Sequence, residues 1–400
     1  EPGFTYGQAD PAANLRDNLR KPINSKPLSD IVKPEDKVGI IFNDITRATP
    51  NHLILPAILD EISFVPRENI ILFNALGTHR PNTEAELREI LSGELVDQYR
   101  IVQNNAFDQS TQVFQGTTQN GHEIWLNREL VECDIKILTG FIEPHLFAGF
   151  SGGWKAVMPG MAGLKTVLGN HGVKMLSHPN ATWGITHENP LLDEIREIAR
   201  GVGKTFLVNV TLNKHQEITA VFAGDIDEAH RIGCEFARQR AMIPVDDAFD
   251  IVLTTNSGYP LDQNLYQSIK GVSAACQIVR QGGAIIVAAE CADGIPEHGL
   301  YSTLLREGGS PQGVLDIIRQ EGFAKHDQWQ AQIQAQIQLS ADVYVYSENL
   351  SDDQIRSVLL EPASSIEETI RMLLDKYGQN ARICVLPEGP QTVPYVVQVI

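Results

Sequence analysis

Residues 37–44, KVGIIFND, and residues 69–79, NIILFNALGTH, stand on either side of a stretch with helical spacing at about 50–62. Each quoted run is nearly continuous in apolar residues and ends in small or polar residues, which is typical of a strand buried on both faces of a parallel sheet. Two such strands joined by a helix form the repeating unit of α/β proteins. The stretch from 37 to 79 therefore predicts an α/β fold with a largely parallel sheet.

The same alternation continues along the chain in two series. The first adds the runs DIKILTGFI, TFLVNVTLN and ITAVFAGD and a helix at about 225–241; the second begins at FDIVLTTNSG and includes GGAIIVAAE, DVYVYS and ARICVLP. Between them, Pro244 and the acidic residues of RQRAMIPVDDAFD interrupt the periodicity. We expect two domains, residues 1–243 and residues 247–378, with the segment of about 380–400 as a candidate to return to the first.

Each domain should contain a largely parallel sheet flanked by helices, because 400 residues are too many for one ordinary core. A cleft between two domains is a common ligand site. We therefore expect the active site to lie in the interdomain cleft.

The composition argues against several classes of protein. A formal net charge of −18 opposes binding to nucleic acid, since a polyphosphate partner requires a basic surface. No apolar stretch approaches the roughly 18 residues of a membrane span, and the first ten residues, EPGFTYGQAD, lack a signal-peptide pattern. We expect a cytoplasmic protein without a membrane or nucleic-acid partner.

Two further features are interpreted as structural. The five cysteines show no Cys-x-x-Cys spacing and are expected to be buried small side chains rather than a zinc site or a disulfide framework: Cys133, Cys234, Cys276, Cys291 and Cys384. The stretch 327–340, DQWQAQIQAQIQLS, is rich in glutamine at helical spacing and predicts a solvent-exposed helix.

Three predicted strands of the first domain end in polar clusters. Asp44 and Arg47 follow the first strand, His79 follows the second, and His145 follows DIKILTGFI. Taken singly, such residues are commonly turn, cap or loop residues. If the strands are parallel neighbours, their carboxyl ends share one edge of the sheet, where α/β folds bind ligands. Two histidines at that edge would suit an enzyme that moves a proton on either side of a substrate.

The stretch 143–160, EPHLFAGFSGGWKAVMPG, places Lys155 just after the small residues Ser151, Gly152 and Gly153. It fits neither the P-loop spacing nor the dinucleotide-binding spacing. The small residues can hold an anion, with Lys155 either binding phosphate or acting as a nucleophilic amine. Further along, His171 in LGNHG is either a metal ligand or a helix-capping residue.

The predicted helix in LDQNLYQSIKGVSAA carries Gln267 and Lys270 three residues apart, so both side chains lie on one face. A cation and an amide on that face can bind a carboxylate across the cleft. The alternative is a solvated lysine on a surface helix, although the small apolar residues that follow favour close packing.

Five motifs, in order, resemble those of the nickel-dependent lactate racemase family of 2-hydroxyacid racemases and epimerases: DITR (44–47), GTHR (77–80), EPHLFAGFSGGWKAVMPG (143–160), GNH (169–171) and DQNLYQSIKG (262–271). The resemblance extends from about Asp44 to Trp329. It implies an isomerase that racemises or epimerises a lactate-like 2-hydroxyacid.

The resemblance also implies a nickel pincer nucleotide as cofactor, a pyridinium-3-thioamide-5-thiocarboxylic acid mononucleotide that carries nickel. The lysine at the position of Lys155 would hold it covalently, and His171 would be the metal ligand from the protein. One imidazole beside sulfur and carbon ligands suits nickel. The resemblance implies further contacts with the cofactor from Asp44, Thr46, Ser151, Gly152 and Gly153. Asp44 and Thr46 could instead support Arg47.

By the same resemblance, His79 and His145 would be paired acid/base residues, one for each enantiomer. One imidazole would take the hydroxyl proton while the α-hydrogen leaves as hydride to the cofactor, and the resulting 2-oxoacid would be reduced on its other face. Substrate-binding roles are implied for Arg47, Gln267, Lys270 and Trp329. We expect Phe147, Tyr266 and Trp154 to contribute to a wall around the substrate's side chain.

Two other functions stay open on the sequence. An NAD-dependent 2-hydroxyacid dehydrogenase would require a glycine fingerprint, which the first strand lacks. A non-catalytic nickel- or nucleotide-binding protein would not need two acid/base histidines. The partners that the resemblance implies are a small 2-hydroxyacid and the proteins that build the cofactor and insert nickel, and a homodimer stays open as well.

Overall fold

The computed structural model describes residues 3, 5–297 and 299–397, and two sheets dominate this part of the chain. The strands of the first sheet lie in the spatial order Ile218–Gly224, Lys204–Leu212, Ile135–Phe141, Val38–Asn43, Ile70–Ala75 and Arg100–Gln103. Neighbouring strands are parallel except for the first pair, which is antiparallel. The predicted α/β class with a largely parallel sheet is confirmed.

The strand Val38–Asn43 lies in the middle of the first sheet, and later strands are added on both sides of it. Ile70–Ala75 pairs with one edge of this strand, and Ile135–Phe141 pairs with the other. Where the order of strands reverses in this way, the loops at the carboxyl ends diverge and open a crevice. The residues that follow Val38–Asn43 and Ile135–Phe141 therefore lie beside a natural ligand site.

Alternate residues of the central strand enter two separate cores. Ile41 belongs to one core with Phe73 and Leu138, whereas Ile40 belongs to the other with Leu72. Because strand side chains alternate between faces, both faces of the sheet are covered. This two-sided burial explains why the strand has a continuous apolar sequence.

Helices and small hairpins complete the first half. The α-helices of this half are Pro11–Arg20, Leu28–Ile31, Asn51–Glu61, Glu84–Leu91, Gly93–Gln98, Arg128–Val131, Leu164–Asn170, Val173–Leu176, Pro190–Arg200 and Ile226–Ala241. Three 3₁₀ turns are Arg67–Asn69, Gln109–Thr111 and Gly153–Ala156. The hairpins pair Gln112–Thr117 with Glu123–Asn127, and Pro144–His145 with Gly149–Phe150.

The second sheet is parallel throughout its described strands. Their spatial order is Glu361–Pro362, Ala341–Tyr346, Val279–Ala288, Phe249–Thr255 and Ile383–Leu386. The helices of this half are Leu265–Cys276, Tyr301–Gly308, Pro311–Ile318, Gln328–Gln338, Asp352–Ser357 and Ile366–Tyr377, with a 3₁₀ turn at Gly389–Gln391. A second largely parallel sheet flanked by helices was expected from the sequence, and this is the arrangement observed.

The last described strands divide between two places. Ile383–Leu386 extends the second sheet beside Phe249–Thr255, so the expectation that residues 380–400 return to the first domain is wrong for these four residues. Val393–Val396 instead pairs with Met242–Val245, directly after the helix Ile226–Ala241. Residues 398–400 lie outside the described residues.

The glutamine-rich helix Gln328–Gln338 is mostly buried, which corrects the expectation of a solvent-exposed helix. The amide of Gln334 accepts a hydrogen bond from the Tyr301 hydroxyl and donates one to the Val358 carbonyl at 2.7 Å. Gln330 donates to the carbonyl of Tyr266, also at 2.7 Å. Because partners satisfy these amides, glutamine can occupy helix positions that a hydrophobicity pattern assigns to solvent.

The cysteines agree with their predicted role. All five are free; three are buried and the other two are half-buried. Within the described residues, no helix is both long enough and apolar enough to span a bilayer.

Candidate active site

One cavity lies at the carboxyl edge of the first sheet, where the strand order reverses. Its walls also include side chains from the helices Leu265–Cys276 and Gln328–Gln338 of the second half. Thirteen residues singled out in the sequence line it: Asp44, Arg47, His79, His145, Phe147, Ser151, Gly152, Lys155, His171, Tyr266, Gln267, Lys270 and Trp329. Thr46 lines an adjoining cavity that shares Asp44 and His79 with the first. The structure thus brings together residues that lie as far apart in the sequence as Asp44 and Trp329.

His79 is held by the carboxylate of Asp44. Nδ1 of His79 lies 2.7 Å from Oδ2 of Asp44, and the hydroxyl of Thr46 donates to the other carboxylate oxygen at 2.8 Å. Burial tends to raise the pKa of Asp44, but the charge of His79 and these hydrogen bonds outweigh it and lower that pKa. An ionised Asp44 accepts the Nδ1 proton, which leaves Nε2 of His79 as the reactive nitrogen.

His145 lies in the short hairpin that follows the strand Ile135–Phe141. Backbone N–H groups of Phe147 and Ala148 point to its Nδ1 at 3.4 and 3.3 Å, and the Phe147 ring meets it edge-on. Burial, followed by the charges of Lys155 and other cations, holds the pKa of His145 well below its ordinary value. The neutral form of the imidazole is therefore favoured.

Lys155 lies in the 3₁₀ turn Gly153–Ala156, and its Nζ atom is 5.5 Å from the centroid of the Phe147 ring. Burial and the charge of Arg47 lower the pKa of Lys155 to about 7. A large fraction of its amine is therefore uncharged at neutral pH, in contrast to a solvated lysine. An uncharged amine is the nucleophilic form, so Lys155 is suited to form a covalent bond with a ligand.

The space beside the two glycines before Lys155 is filled by other side chains of the protein. Gly152 and Gly153 have positive φ angles, and a Cβ at these positions would lie 2.5 Å from the Asn209 side chain and 2.7 Å from the His230 ring. Gly153 is absent from the residues that line the cavity. The space beside Gly153 is filled by the His230 ring, and the role of this glycine as a cofactor contact stays a prediction.

Ser151 also has a structural partner, although it borders the cavity. Its hydroxyl donates to the carbonyl of Phe141 at 2.9 Å and accepts from the backbone N–H of Glu143 at 3.0 Å. These bonds tie the end of the strand Ile135–Phe141 to the turn that carries Lys155.

His171 follows the last residue of the helix Leu164–Asn170 and packs edge-on against Phe147 and Trp329. Its Nδ1 is buried and has no hydrogen-bond partner in the described part of the chain. Burial and the charge of Lys155 lower the pKa of His171 to about 3, so its ring is neutral and can act as a ligand.

The donor set around His171 fits a metal that brings most of its own ligands. No group of three or more histidine, cysteine, aspartate or glutamate side chains gathers at a possible metal position among the described residues. A single imidazole would hold a metal weakly by itself, but it could add the last ligand to a nickel ion that a cofactor already binds through sulfur and carbon. His171 and Lys155, which border the same cavity, therefore fit a nickel cofactor anchored at two points.

Arg47 and Lys270 bring two basic side chains to the cavity, and Arg47 is paired with Glu143. The Arg47 guanidinium donates to Glu143 at 3.0 Å, while the Lys270 ammonium donates to the Gln267 amide oxygen. Burial lowers the pKa of Lys270 to about 7 with help from Arg47, and burial also raises the pKa of Glu143. Sequence reasoning did not single out Glu143 as a site residue, although its position two residues before His145 was the available signal.

An aromatic wall closes one side of the cavity. The Trp329 indole donates to the Tyr266 hydroxyl at 2.8 Å, and both residues line the cavity together with Phe147. Trp154, which we expected to contribute, faces elsewhere because its indole donates to Asp227 at 2.7 Å. The aromatic wall of the cavity therefore consists of Phe147, Tyr266 and Trp329.

Family models of known proteins match both halves of this chain. The lactate racemase N-terminal domain matches residues 1–184, and the lactate racemase C-terminal domain matches residues 245–393. The chain belongs to the lactate racemase family. This result confirms the resemblance seen in the sequence motifs, and the family is one of isomerases, which sets aside the dehydrogenase and the non-catalytic binding protein.

Individual members of the lactate racemase family are similar over nearly the whole chain. A lactate racemase from Thermoanaerobacterium thermosaccharolyticum is 34% identical over 94% of this chain and 88% of its own length. One from Lactiplantibacillus plantarum is 36% identical over 93% of this chain and 88% of its own length.

Solved structures show the same family fold. The lactate racemase apoprotein from T. thermosaccharolyticum superposes with a TM-score of 0.91 at 32% identity, covering 99% of this chain and 95% of its own. A protein from Thermotoga maritima superposes with a TM-score of 0.77 at 18% identity, over 98% of this chain and 100% of its own. The second similarity shows a shared fold at greater sequence distance.

Proposed function

We propose that this protein interconverts the two enantiomers of a short-chain 2-hydroxyacid, with lactate as the first substrate to test. The observation that carries the proposal is one cavity bordered by two histidines, a lysine with a lowered pKa and a third histidine whose ring is neutral. The lactate racemase names of its relatives point to the same class of substrate.

His79 and His145 would serve the two faces of the substrate. In one direction, Nε2 of His79 accepts the hydroxyl proton, because Asp44 fixes its other nitrogen as a donor. The substrate passes through a planar 2-oxoacid, and His145, which must carry a proton at the start of this direction, gives that proton to the oxygen as the opposite enantiomer forms. In the reverse direction, the two histidines exchange roles, and the neutral state of His145 supports its use as a base.

Arg47, Lys270 and Gln267 would bind the substrate's carboxylate. Two cations near one carboxylate supply charge-assisted hydrogen bonds, and the amide of Gln267 orients Lys270. The contact with Glu143 at 3.0 Å would restrain the Arg47 guanidinium before substrate binds. Trp329 would pack against the substrate and limit the size of its side chain.

Lys155 and His171 would hold the nickel pincer nucleotide, which supplies the hydride chemistry that removes and returns the α-hydrogen. The neutral amine of Lys155 supports covalent attachment, and the neutral ring of His171 supports its role as nickel ligand. The backbone at Ser151 and Gly152, the carboxylate of Asp44 and the hydroxyl of Thr46 border the space beside Lys155 or His79 and are proposed as further contacts.

The proposal includes a cytoplasmic location and a need for proteins that build the cofactor and insert nickel. The five free cysteines support a reducing compartment, because disulfides are rare in such compartments.

A panel of D- and L-2-hydroxyacids tests the proposal, with loss of optical activity as the measurement on cofactor-loaded protein. Lactate should racemise from either enantiomer, and His79→Ala and His145→Ala should each reduce the rate by about 10²- to 10⁴-fold. His187→Ala, at an exposed histidine, is the matched control and should leave the rate unchanged. Full activity in either active-site variant would contradict the two-histidine assignment.

A further inference from the structure

A buried carboxylate outside the cavity accepts hydrogen bonds from four side chains. Oε1 of Glu194 receives bonds from the Thr118 hydroxyl at 2.7 Å, the Asn120 amide at 3.0 Å and Nδ1 of His122 at 2.9 Å. Its other oxygen receives the Asn170 amide at 2.9 Å. The Glu194 side chain is 1% exposed, so these partners are what make its burial tolerable.

This cluster is built directly onto the segment that ends in His171. Asn170 is the last residue of the helix Leu164–Asn170, and it donates to both Glu194 and the carbonyl of Leu191. One residue earlier, Gly169 packs against the His122 ring so closely that a Cβ would lie 2.7 Å from it. Two consecutive residues before His171 are therefore fixed by the same cluster.

The ring of His171 has no described protein group as a hydrogen-bond partner at Nδ1. Such a histidine usually donates its second ring N–H to a carboxylate, a carbonyl or water, which fixes the ring. In His171, Nδ1 is buried without a partner among the described residues. Orientation of this ring must then come from the aromatic contacts with Phe147 and Trp329 and from the backbone that carries it.

We propose that Glu194 is a positioning residue for His171, and that it acts through Asn170. The carboxylate fixes the end of the helix Leu164–Asn170, so that the imidazole stands ready for nickel without a hydrogen bond to its second nitrogen. This inference rests on the proposed function, because it takes His171 to be the nickel ligand. It also assigns a role to the hairpin that carries Thr118, Asn120 and His122, which border no part of the cavity.

The test measures how fast nickel leaves the cofactor-loaded protein in excess EDTA, with nickel counted by mass spectrometry. Asn170→Ala removes the link while leaving three of the bonds to Glu194, and Glu194→Gln removes the charge. Both variants should lose nickel about tenfold faster or more, as loss of support to a metal ligand generally does. Covalent attachment at Lys155, read from intact mass, should stay at the wild-type level, because Lys155 is not part of the cluster.

The controls separate this role from a general loss of stability. Asp250→Asn removes a hydrogen-bonded carboxylate from the second sheet, where it binds Arg280 and the backbone of Arg382, and nickel loss should stay at the wild-type rate. If Glu194→Gln fails to fold, Asn170→Ala decides the question. Wild-type nickel retention in Asn170→Ala would overturn the inference. A wild-type protein that carries the adduct on Lys155 but no nickel would overturn the role of His171 in the proposed function, and this inference with it.

Discussion

Oδ2 of Asp44 lies 2.7 Å from Nδ1 of His79, and this contact joins residues that follow two neighbouring strands of the first sheet. The strands Val38–Asn43 and Ile70–Ala75 are parallel and in register, so their carboxyl ends deliver the acid and the imidazole to the same point. The carboxylate fixes which ring nitrogen of His79 is available to a substrate. The Asp44–His79 pair is therefore the part of the site that is best suited to acid/base catalysis.

Replacing Asp44 with asparagine should therefore slow racemisation with little effect on the fold. An amide can reverse the tautomer of His79, which would place a proton on the nitrogen that has to accept one. We expect kcat to fall by about 10²- to 10⁴-fold, measured in both directions with lactate. Thr46→Val removes only the second hydrogen bond to Asp44 and should have a much smaller effect. Equal effects of the two substitutions would contradict the orienting role of the carboxylate.

The two buried lysines should react as amines at a lower pH than surface lysines. Lys155 and Lys270 have pKa values lowered to about 7 by burial and neighbouring charge, so each loses its proton as the pH rises through 7. A small acylating reagent should label them half-maximally near pH 7, whereas solvated lysines require about pH 10.4. Peptide mass spectrometry of the cofactor-free protein measures this directly. Labelling of both residues only at high pH would show that they are charged at neutral pH.

Lys270→Ala should weaken substrate binding more than it slows the chemical step. A charge-assisted hydrogen bond to a carboxylate is worth about 1.5–3 kcal/mol, which corresponds to a rise in KM of about 10- to 100-fold. Steady-state kinetics with lactate separate KM from kcat. The exposed Lys26→Ala is the matched control and should behave as wild type. An unchanged KM in Lys270→Ala would remove this residue from the carboxylate site.

Gln334→Ala should destabilise the protein although it lies outside the cavity. The substitution leaves the buried Tyr301 hydroxyl and the Val358 carbonyl without partners. Two unsatisfied buried groups predict a loss of about 2–4 kcal/mol in the free energy of unfolding. Urea unfolding measures it against Gln312→Ala, an exposed glutamine of the helix Pro311–Ile318. A loss as small as that of the control would mean that the glutamine-rich helix is not held by its amides.

Much of the fold follows from the sequence because parallel strands buried on both faces have a distinctive composition. KVGIIF and DIKILTGFI are mostly apolar runs, and both form central strands. The glutamine-rich helix was misjudged because its burial depends on partners such as Tyr301 and Val358, which are distant in sequence. The spacing of apolar residues predicts which positions are buried by hydrophobicity. It cannot predict whether a residue distant in sequence will form a hydrogen bond with a buried polar side chain.

The site residues were predictable where a motif follows a strand, and less so where a role depends on packing. Asp44, His79 and His145 come directly after strands, which made them visible. The contact between Asp44 and His79 needed the register of two strands, and the pairing of Glu143 with Arg47 needed two loops to meet. The close approach at Gly153 is made by the His230 ring, and the glycine in the sequence could not tell whether a ligand or a side chain would approach it.

The fate of the α-hydrogen tests the central claim most directly. L-lactate carrying deuterium at C2 is incubated in ordinary water with the cofactor-loaded protein, and the D-lactate that forms is analysed by mass spectrometry. If the hydrogen leaves and returns as hydride while His79 and His145 handle only the hydroxyl proton, the D-lactate should retain its deuterium. D-lactate that contains hydrogen from water at C2 would mean that a side chain removes the α-proton, and it would contradict the account.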